Sequence, residues 1–340
     1  MKAYHLGALD GLESWRLVDV PERVPGHGQI LIRVHAVSLN YRDVVIANGH
    51  YPFPAPTCDM IPVSDGAGEI IGVGPGVRGW KVGDRVAGIF SQSWQGGRQP
   101  DDAWITTLGG AVDGMLAQQV VLDQSGLVRV PAHLTWEEAA TLPCAGVTAW
   151  NALNGLGTLK AGDTVLALGT GGVSIFATQL AAAAGARVIV TSSSDVKLKR
   201  AKVLGAHDLI NYRTTPDWHK EVLRITEGRG VDRVIEIGGS GTIAQSIGSV
   251  RPGGVIALMG LLAEGEPVDP GAILMAGAIV RGIMVGSREM FEDMTRSIGL
   301  HRLRPEIQRV YAFSQARTAL ADLAKGQHVG KLVIRVSESG

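Results

Sequence analysis

Cysteine is almost absent: the chain has 340 residues and only two, Cys58 and Cys144. Two thiols give no disulfide framework and cannot supply a four-thiolate metal site. Neither sign of charge is in excess, since Lys plus Arg and Asp plus Glu stand at 32 each. That balance removes the electrostatic case for a nucleic-acid partner or an anionic membrane surface. No run of about 18 apolar residues occurs, so no membrane-spanning helix is expected. The opening Met1-Lys-Ala-Tyr-His reaches Asp10 without an apolar signal-peptide core, which makes the cytoplasm the expected location. Internal repeats and low-complexity segments are also missing.

What the chain does have is ample apolar material. Hydrophobic residues make up 45% and charged residues 19%, the balance of a globular protein, and the length suggests two domains. The most informative stretch runs from Thr164 to Ser194. A buried-strand run, Thr164 to Leu168, breaks on Gly169, Gly171 and Gly172. A helical segment follows from Val173 to about Ala184, and a second β-branched run from Arg187 to Thr191. A glycine turn between strand and helix lets the backbone approach a pyrophosphate, whose charge suits the exposed N–H groups of the helix start. Ser174 stands where the last glycine of the dinucleotide fingerprint is usual, which predicts a slightly wider helix–strand crossing with the fold retained. A flavin or another phosphate ligand is the alternative occupant.

Around that unit the pattern changes twice. Residues 1 to about 140 read as short strands with Gly and Pro turns, among them the alternating Gln29 to Val37. The polar stretch from Phe90 to Gly114 carries Trp94 and Trp104, expected to be packed plugs or, near a cleft, a cover for a substrate. From Ala145 onward strands and helices alternate. Strands are expected at His207 to Tyr212, Val231 to Ile237, Gly254 to Met259 and Ala278 to Val285, the last completing six. A helix, a linker through Pro305, a helix from Ser314 and a strand from Lys331 to Val336 close the chain. The expected division is 1–144, 145–286 and a return over 287–340.

Val82-Gly83-Asp84-Arg85-Val86, Leu142-Pro143-Cys144-Ala145-Gly146-Val147-Thr148-Ala149-Trp150 and Gly169-Thr-Gly-Gly-Val together resemble the medium-chain dehydrogenase/reductase superfamily along essentially the whole chain. The resemblance implies an α/β fold: a GroES-like β-barrel catalytic domain on a Rossmann doubly wound parallel sheet, with the active site between them. Zinc members of that family need a Cys, a His and a second Cys. Here Asn40 stands for the first Cys, Val63-Ser64-Asp65 for the segment that carries the His, and Cys144 alone matches. The four cysteines of a structural zinc lobe are missing as well. Asn40, Asp65 and Cys144 would make at best a poor metal site. The chain is therefore similar to the zinc-independent quinone oxidoreductase and enoyl reductase branch, in which Leu39-Asn40-Tyr41-Arg42-Asp43 is a familiar motif.

That branch implies an NADP(H)-dependent oxidoreductase without zinc, passing hydride to quinones or activated C=C bonds. A zinc-free alcohol dehydrogenase or carbonyl reductase is the first alternative, and a non-catalytic NADPH-binding protein the second. The carbonyl oxygen gains charge during transfer and needs a donor, and a carbon must gain a proton. The resemblance offers Asn40 as donor and Tyr51 as proton source, although a Tyr beside Pro is often only a packed ring. Tyr41 and Asp43 are expected to be scaffold, with Asp43 capping or paired, and His50 a solvated loop residue. Thr148 is implied to lie against the nicotinamide, with Gly169, Gly171, Gly172 and Val173 on the pyrophosphate. Met259, Gly260, Val285 and Lys331 are expected to complete the cofactor set. An NAD site would carry an acid about 20 residues past the glycine turn. This chain has Ser192, Ser193 and Ser194 there, with Lys197 and Tyr212 nearby, donors suited to a 2′-phosphate. The expected partners are a small carbonyl or quinone substrate and a second copy of the chain, a homodimer paired along Ala276 to Val285. An edge covered by the chain's own loop is the alternative.

Overall fold

The computed structural model describes residues 1–52, 58–260 and 262–337. Fifteen strands run in chain order among them: β1 Lys2–Leu6, β2 Trp15–Asp19, β3 Gln29–Ser38, β4 Asp65–Val73, β5 Arg85–Gly88, β6 Gln119–Asp123, β7 Leu127–Arg129, β8 Thr164–Leu168, β9 Arg187–Ser192, β10 Asp208–Asn211, β11 Val231–Glu236, β12 Val250–Leu258, β13 Ile279–Gly282, β14 Ile307–Ala312 and β15 Lys331–Arg335. The helices are α1 Tyr41–Ala47, α2 Trp136–Ala140, α3 Val147–Asn154, α4 Gly172–Ala183, α5 Asp195–Val203, α6 Trp218–Ile225, α7 Ile243–Ser249, α8 Pro270–Ala276, α9 Arg288–His301 and α10 Ala316–Ala324. Two compact units result, one of Met1–Val147 with Gly286–Gly340, the other of Thr148–Val285.

The second unit is a six-stranded parallel sheet in the order β10-β9-β8-β11-β12-β13. Numbered within the unit this is 3-2-1-4-5-6, the order of a dinucleotide-binding sheet, whose strand order reverses between β8 and β11. Every residue of β8 and β11 is buried, because helices cover both faces of a parallel sheet and leave no polar side for alternation. Leu166, Ile189, Val234 and Ile256 are fully buried there, and burying side chains of this size contributes about 1.5–3 kcal/mol each.

In the first unit a seven-stranded sheet runs β14-β15-β3-β4-β5-β7, with β6 also pairing β3; β1 and β2 form a separate pair. The ten-residue β3 is its spine. It pairs antiparallel with β4, β6 and β15, so its ends are fixed by partners from three parts of the chain. Ile30, Ile32, Val34, Leu39, Ile70 and Ile334 fill the core beneath it. Trp94 is buried, as a packed plug should be.

The structure departs from the sequence reading in places. The strand expected over Ala278 to Val285 is confined to Ile279–Gly282; Pro270 to Ala276 before it form α8, with Asp269 capping its start, and Val285 after it has φ of 31°. Residues 307–312, expected to follow a simple linker, form β14. Only Tyr311 of that edge strand is buried, so no apolar alternation announces it. Ser174 is buried and its hydroxyl donates to Leu168 O at 2.6 Å, so the residue that replaces glycine ties helix to strand.

Candidate functional site

The Leu39-Asn40-Tyr41-Arg42-Asp43 segment turns from β3 into α1. Asp43 is buried and accepts from Asn40 N–H at 2.7 Å, a reciprocal cap that fixes Asn40 in extended backbone at the helix start. Burial pushes the Asp43 carboxyl up to about 6, against the pull of the Asn40 N–H and Arg42. Tyr41 is more than half exposed and His50 is exposed, which agrees with reading both outside the chemistry.

Four further groups surround Asn40 in this unit. Lys331, the first residue of β15 and 4% exposed, donates from Nζ to Asn40 Oδ1 at 2.6 Å and to Leu39 O. Asp65, the fully buried first residue of β4, accepts from Ser64 Oγ at 2.6 Å and Cys144 N at 3.1 Å. Burial raises its carboxyl, and Lys331, Ser64, the Asn40 amide and the Cys144 N–H pull it back. Cys144 lies in a π-helical turn, Leu142–Gly146, a local distortion often found at functional sites. Burial, then the Asp65 charge, push its thiol up to about 12. Val63, just before Ser64, has φ of 71°, a left-handed conformation that a β-branched residue adopts only when its surroundings impose it.

Tyr51 completes the group. Its phenol is raised chiefly by burial; Arg42 and the Thr107 hydroxyl lower it, and Cys144 raises it. The Arg42 guanidinium lies 5.2 Å from the Tyr51 ring centroid and 4.5 Å from that of Phe90, and donates to Leu108 O at 2.7 Å. Gly110 makes room for it: a Cβ there would stand 2.0 Å from Arg42 Nη2. Tyr51 and Asn40, paired on sequence grounds, thus lie within one electrostatic cluster.

The other residues singled out, Lys331 apart, lie in the second unit, most of them just beyond the carboxyl ends of its strands, with Thr148 in α3 ahead of the sheet. Gly169 has φ of 72° and Gly171 faces open space where a Cβ would project. No side chain caps the start of the twelve-residue α4, which Gly172 and Val173 begin. Its first N–H groups are thus left for an anion, so the turn fits a dinucleotide phosphate. Ser192 ends β9, and Tyr212 N–H donates to its carbonyl at 3.1 Å. Ser194 caps α5, whose first turn holds Lys197; partial burial lowers the Lys197 ammonium. Asp195 is held aside by Asn211 Nδ2 at 2.7 Å. Met259 and Gly260 follow β12, and Met259 N–H donates to Glu236 O. Thr148 is buried in α3, and Val285, with φ of 31°, accepts from Asn151 Nδ2 at 2.9 Å. Lys331 stands apart from this set: its ammonium is engaged beside Asn40.

Sequence reasoning missed Glu236. It is fully buried at the end of β11 and accepts from Gly238 N, Gly239 N, Thr242 Oγ1 and Ser246 Oγ, shaping the loop beyond the strand. A carboxylate closing an apolar strand before two glycines was the available signal.

Residues 26–132 match the alcohol dehydrogenase GroES-like domain, and residues 172–299 match the zinc-binding dehydrogenase domain. A zinc-type alcohol dehydrogenase-like protein of Schizosaccharomyces pombe is 44% identical over 94% of this chain and 93% of its own length. The chain belongs to the medium-chain dehydrogenase/reductase superfamily. Among solved structures, a candidate alcohol dehydrogenase of Sinorhizobium meliloti superposes with a TM-score of 0.92 at 39% identity, covering 98% of both chains. A mycobacterial protein complexed with NADPH gives 0.82 at 29% identity over 99% of this chain and all of that one. The fold is thus a GroES-like unit with a Rossmann sheet, and the activity class is oxidoreductase. The zinc in two of these names does not fit the residues present. Where ligands would stand, Asn40 Oδ1 accepts a Lys331 proton, and Cys144 is a half-buried thiol pushed up to about 12 by desolvation and the Asp65 charge. Among the described residues no three His, Cys, Asp or Glu side chains are grouped to hold a metal ion.

Proposed function

We propose that this chain is an NADPH-dependent, zinc-independent reductase of quinones or of carbon–carbon double bonds conjugated to a carbonyl. The observation that carries the reading is the Lys331–Asn40 contact beside Asp65. Where a zinc relative would place a metal, this chain puts a buried ammonium and an amide, which favours hydrogen-bond donors as the polarising groups. NADPH, when bound, would supply a hydride for the carbon β to the carbonyl. Asn40 Nδ2 would donate to the carbonyl oxygen as it takes up the electron pair of the opening double bond, and Tyr51 Oη would pass a proton to the α-carbon and recover one from water. The Tyr51 phenol, raised by burial, is protonated at neutral pH and so has a proton to give. Gly169, Gly171, Gly172 and Val173 would hold the pyrophosphate, Ser192, Ser193, Lys197 and Tyr212 the 2′-phosphate, and Thr148, Met259, Gly260 and Val285 the nicotinamide end.

Product analysis tests this reading. Purified protein free of stoichiometric zinc and insensitive to chelators should convert an enone to the saturated ketone. An allylic alcohol instead would make it a carbonyl reductase. Tight NADPH binding without oxidation across quinones, enones and aldehydes would make it a non-catalytic binder.

We also propose a homodimer joined along β13, an edge strand of the parallel sheet. Leu274 and Met275 of α8 are 79% and 86% exposed, and Ile279 of β13 is 46% exposed, an apolar edge that invites pairing. Light scattering at micromolar concentration should give twice the 35.8 kDa chain mass. A mass of one chain would refute the dimer.

A further inference from the structure

Which way an asparagine amide points is decided by what touches its two ends. Asn40 Oδ1 accepts from Lys331 Nζ. An ammonium carries three donors and no acceptor, so the oxygen, not the nitrogen, must face it. The NH2 end therefore turns away from the ammonium, and Asn40 is among the groups that pull the buried Asp65 carboxyl down against its burial. Turning the amide over would set NH2 against a cation. Asn40 is therefore held by the ammonium in one orientation, with Nδ2 buried and without a hydrogen-bond partner.

Lys331 is placed for this by backbone alone. Val333 to Arg335 pair with Ala36 to Ser38, and Leu39 N–H donates to Leu332 O at 3.0 Å, which brings Lys331 beside Asn40. Another proton of the ammonium goes to Leu39 O, so the side chain cannot swing away without leaving that carbonyl unpaired.

We propose that Lys331 is a positioning residue that fixes the Asn40 amide so that Nδ2 is presented as a donor to an sp2 oxygen of the substrate. This rests on the proposed hydride-transfer function, in which Asn40 meets the reacting oxygen. It moves Lys331 from the cofactor set, where the sequence reading put it, to the substrate's oxygen. Ketone, enone and quinone oxygens fit such a donor, because each offers lone pairs and no proton.

The test uses the full-length protein with 15N-labelled asparagine. The side-chain amide signal of Asn40 is identified by its loss in Asn40→Asp. Lys331→Met removes the ammonium; Lys331→Met with Asp65→Asn removes both charges, in case an unbalanced Asp65 prevents folding. In either variant the Asn40 signal should shift or split into two orientations. kcat/KM for the best enone or quinone should fall at least about fivefold, while the NADPH Kd stays within about twofold. An unchanged amide signal overturns the proposal. So does an NADPH affinity that falls in proportion to kcat/KM, which would return Lys331 to the cofactor. An amide that moves while kcat/KM holds overturns it through the earlier reading, by removing Asn40 from the chemistry.

Discussion

Tyr51→Phe is expected to lower kcat by about 10²-fold or more and to leave NADPH affinity unchanged. The substitution removes one oxygen and keeps the ring beside which the Arg42 guanidinium lies at 5.2 Å, so packing is preserved while the proton source is lost. Steady-state kinetics and cofactor titration on the same preparation separate the two effects. The partner measurement is Asn40→Ala. If Asn40 polarises the oxygen, kcat falls; if it only packs between α1 and Lys331, thermal stability falls more than rate. Wild-type turnover in Tyr51→Phe on the best substrate would return that residue to a purely structural role.

The second large effect is cofactor choice. The strand β9 ends on Ser192, and Asp195, three residues on, is tied to Asn211 on β10. A carboxylate at the strand end would repel a 2′-phosphate, whereas hydroxyls and an ammonium attract it. NADPH should therefore be preferred over NADH by at least about tenfold in kcat/KM, which needs only about 1.4 kcal/mol of differential binding. Lys197→Ala should weaken NADPH far more than NADH, and the difference should shrink as salt screens the contact. Equal kcat/KM for the two cofactors in the wild type would refute the assignment.

The sheet of the second unit was legible in the sequence because its strands are buried on both faces and punctuated by glycine. Thr164 to Leu168 and Val231 to Glu236 announce themselves as short apolar runs, and α4 follows its turn at once. Strand β14 was not legible, because an exposed edge strand with a single buried residue carries no period to detect. The candidate site divides in the same way. Asn40 and Tyr51 were proposed from a local motif and its resemblance. The sequence reading put Lys331 with the cofactor; nothing in Gly330-Lys331-Leu332 says that antiparallel pairing brings it beside a residue 291 positions earlier. Arg42 hid for another reason: its place depends on Gly110 and on two rings, contacts that no spacing encodes.

That pairing has a consequence for how the chain is made. The spine β3 and the buried Asp65 are synthesised early, but β15 and Lys331 come from the last residues of the described chain. Until then Ala36 to Ser38 lack their β15 partner, and the Asp65 carboxylate lacks its compensating cation. At ribosomal rates of about 5–20 residues per second, the gap between residue 147 and β15 lasts roughly 10–40 s. The Thr148–Val285 sheet, continuous in sequence, has time to fold on the ribosome during that interval. The other unit cannot complete its sheet until β15 has been made, and until then it holds an acid without its cation.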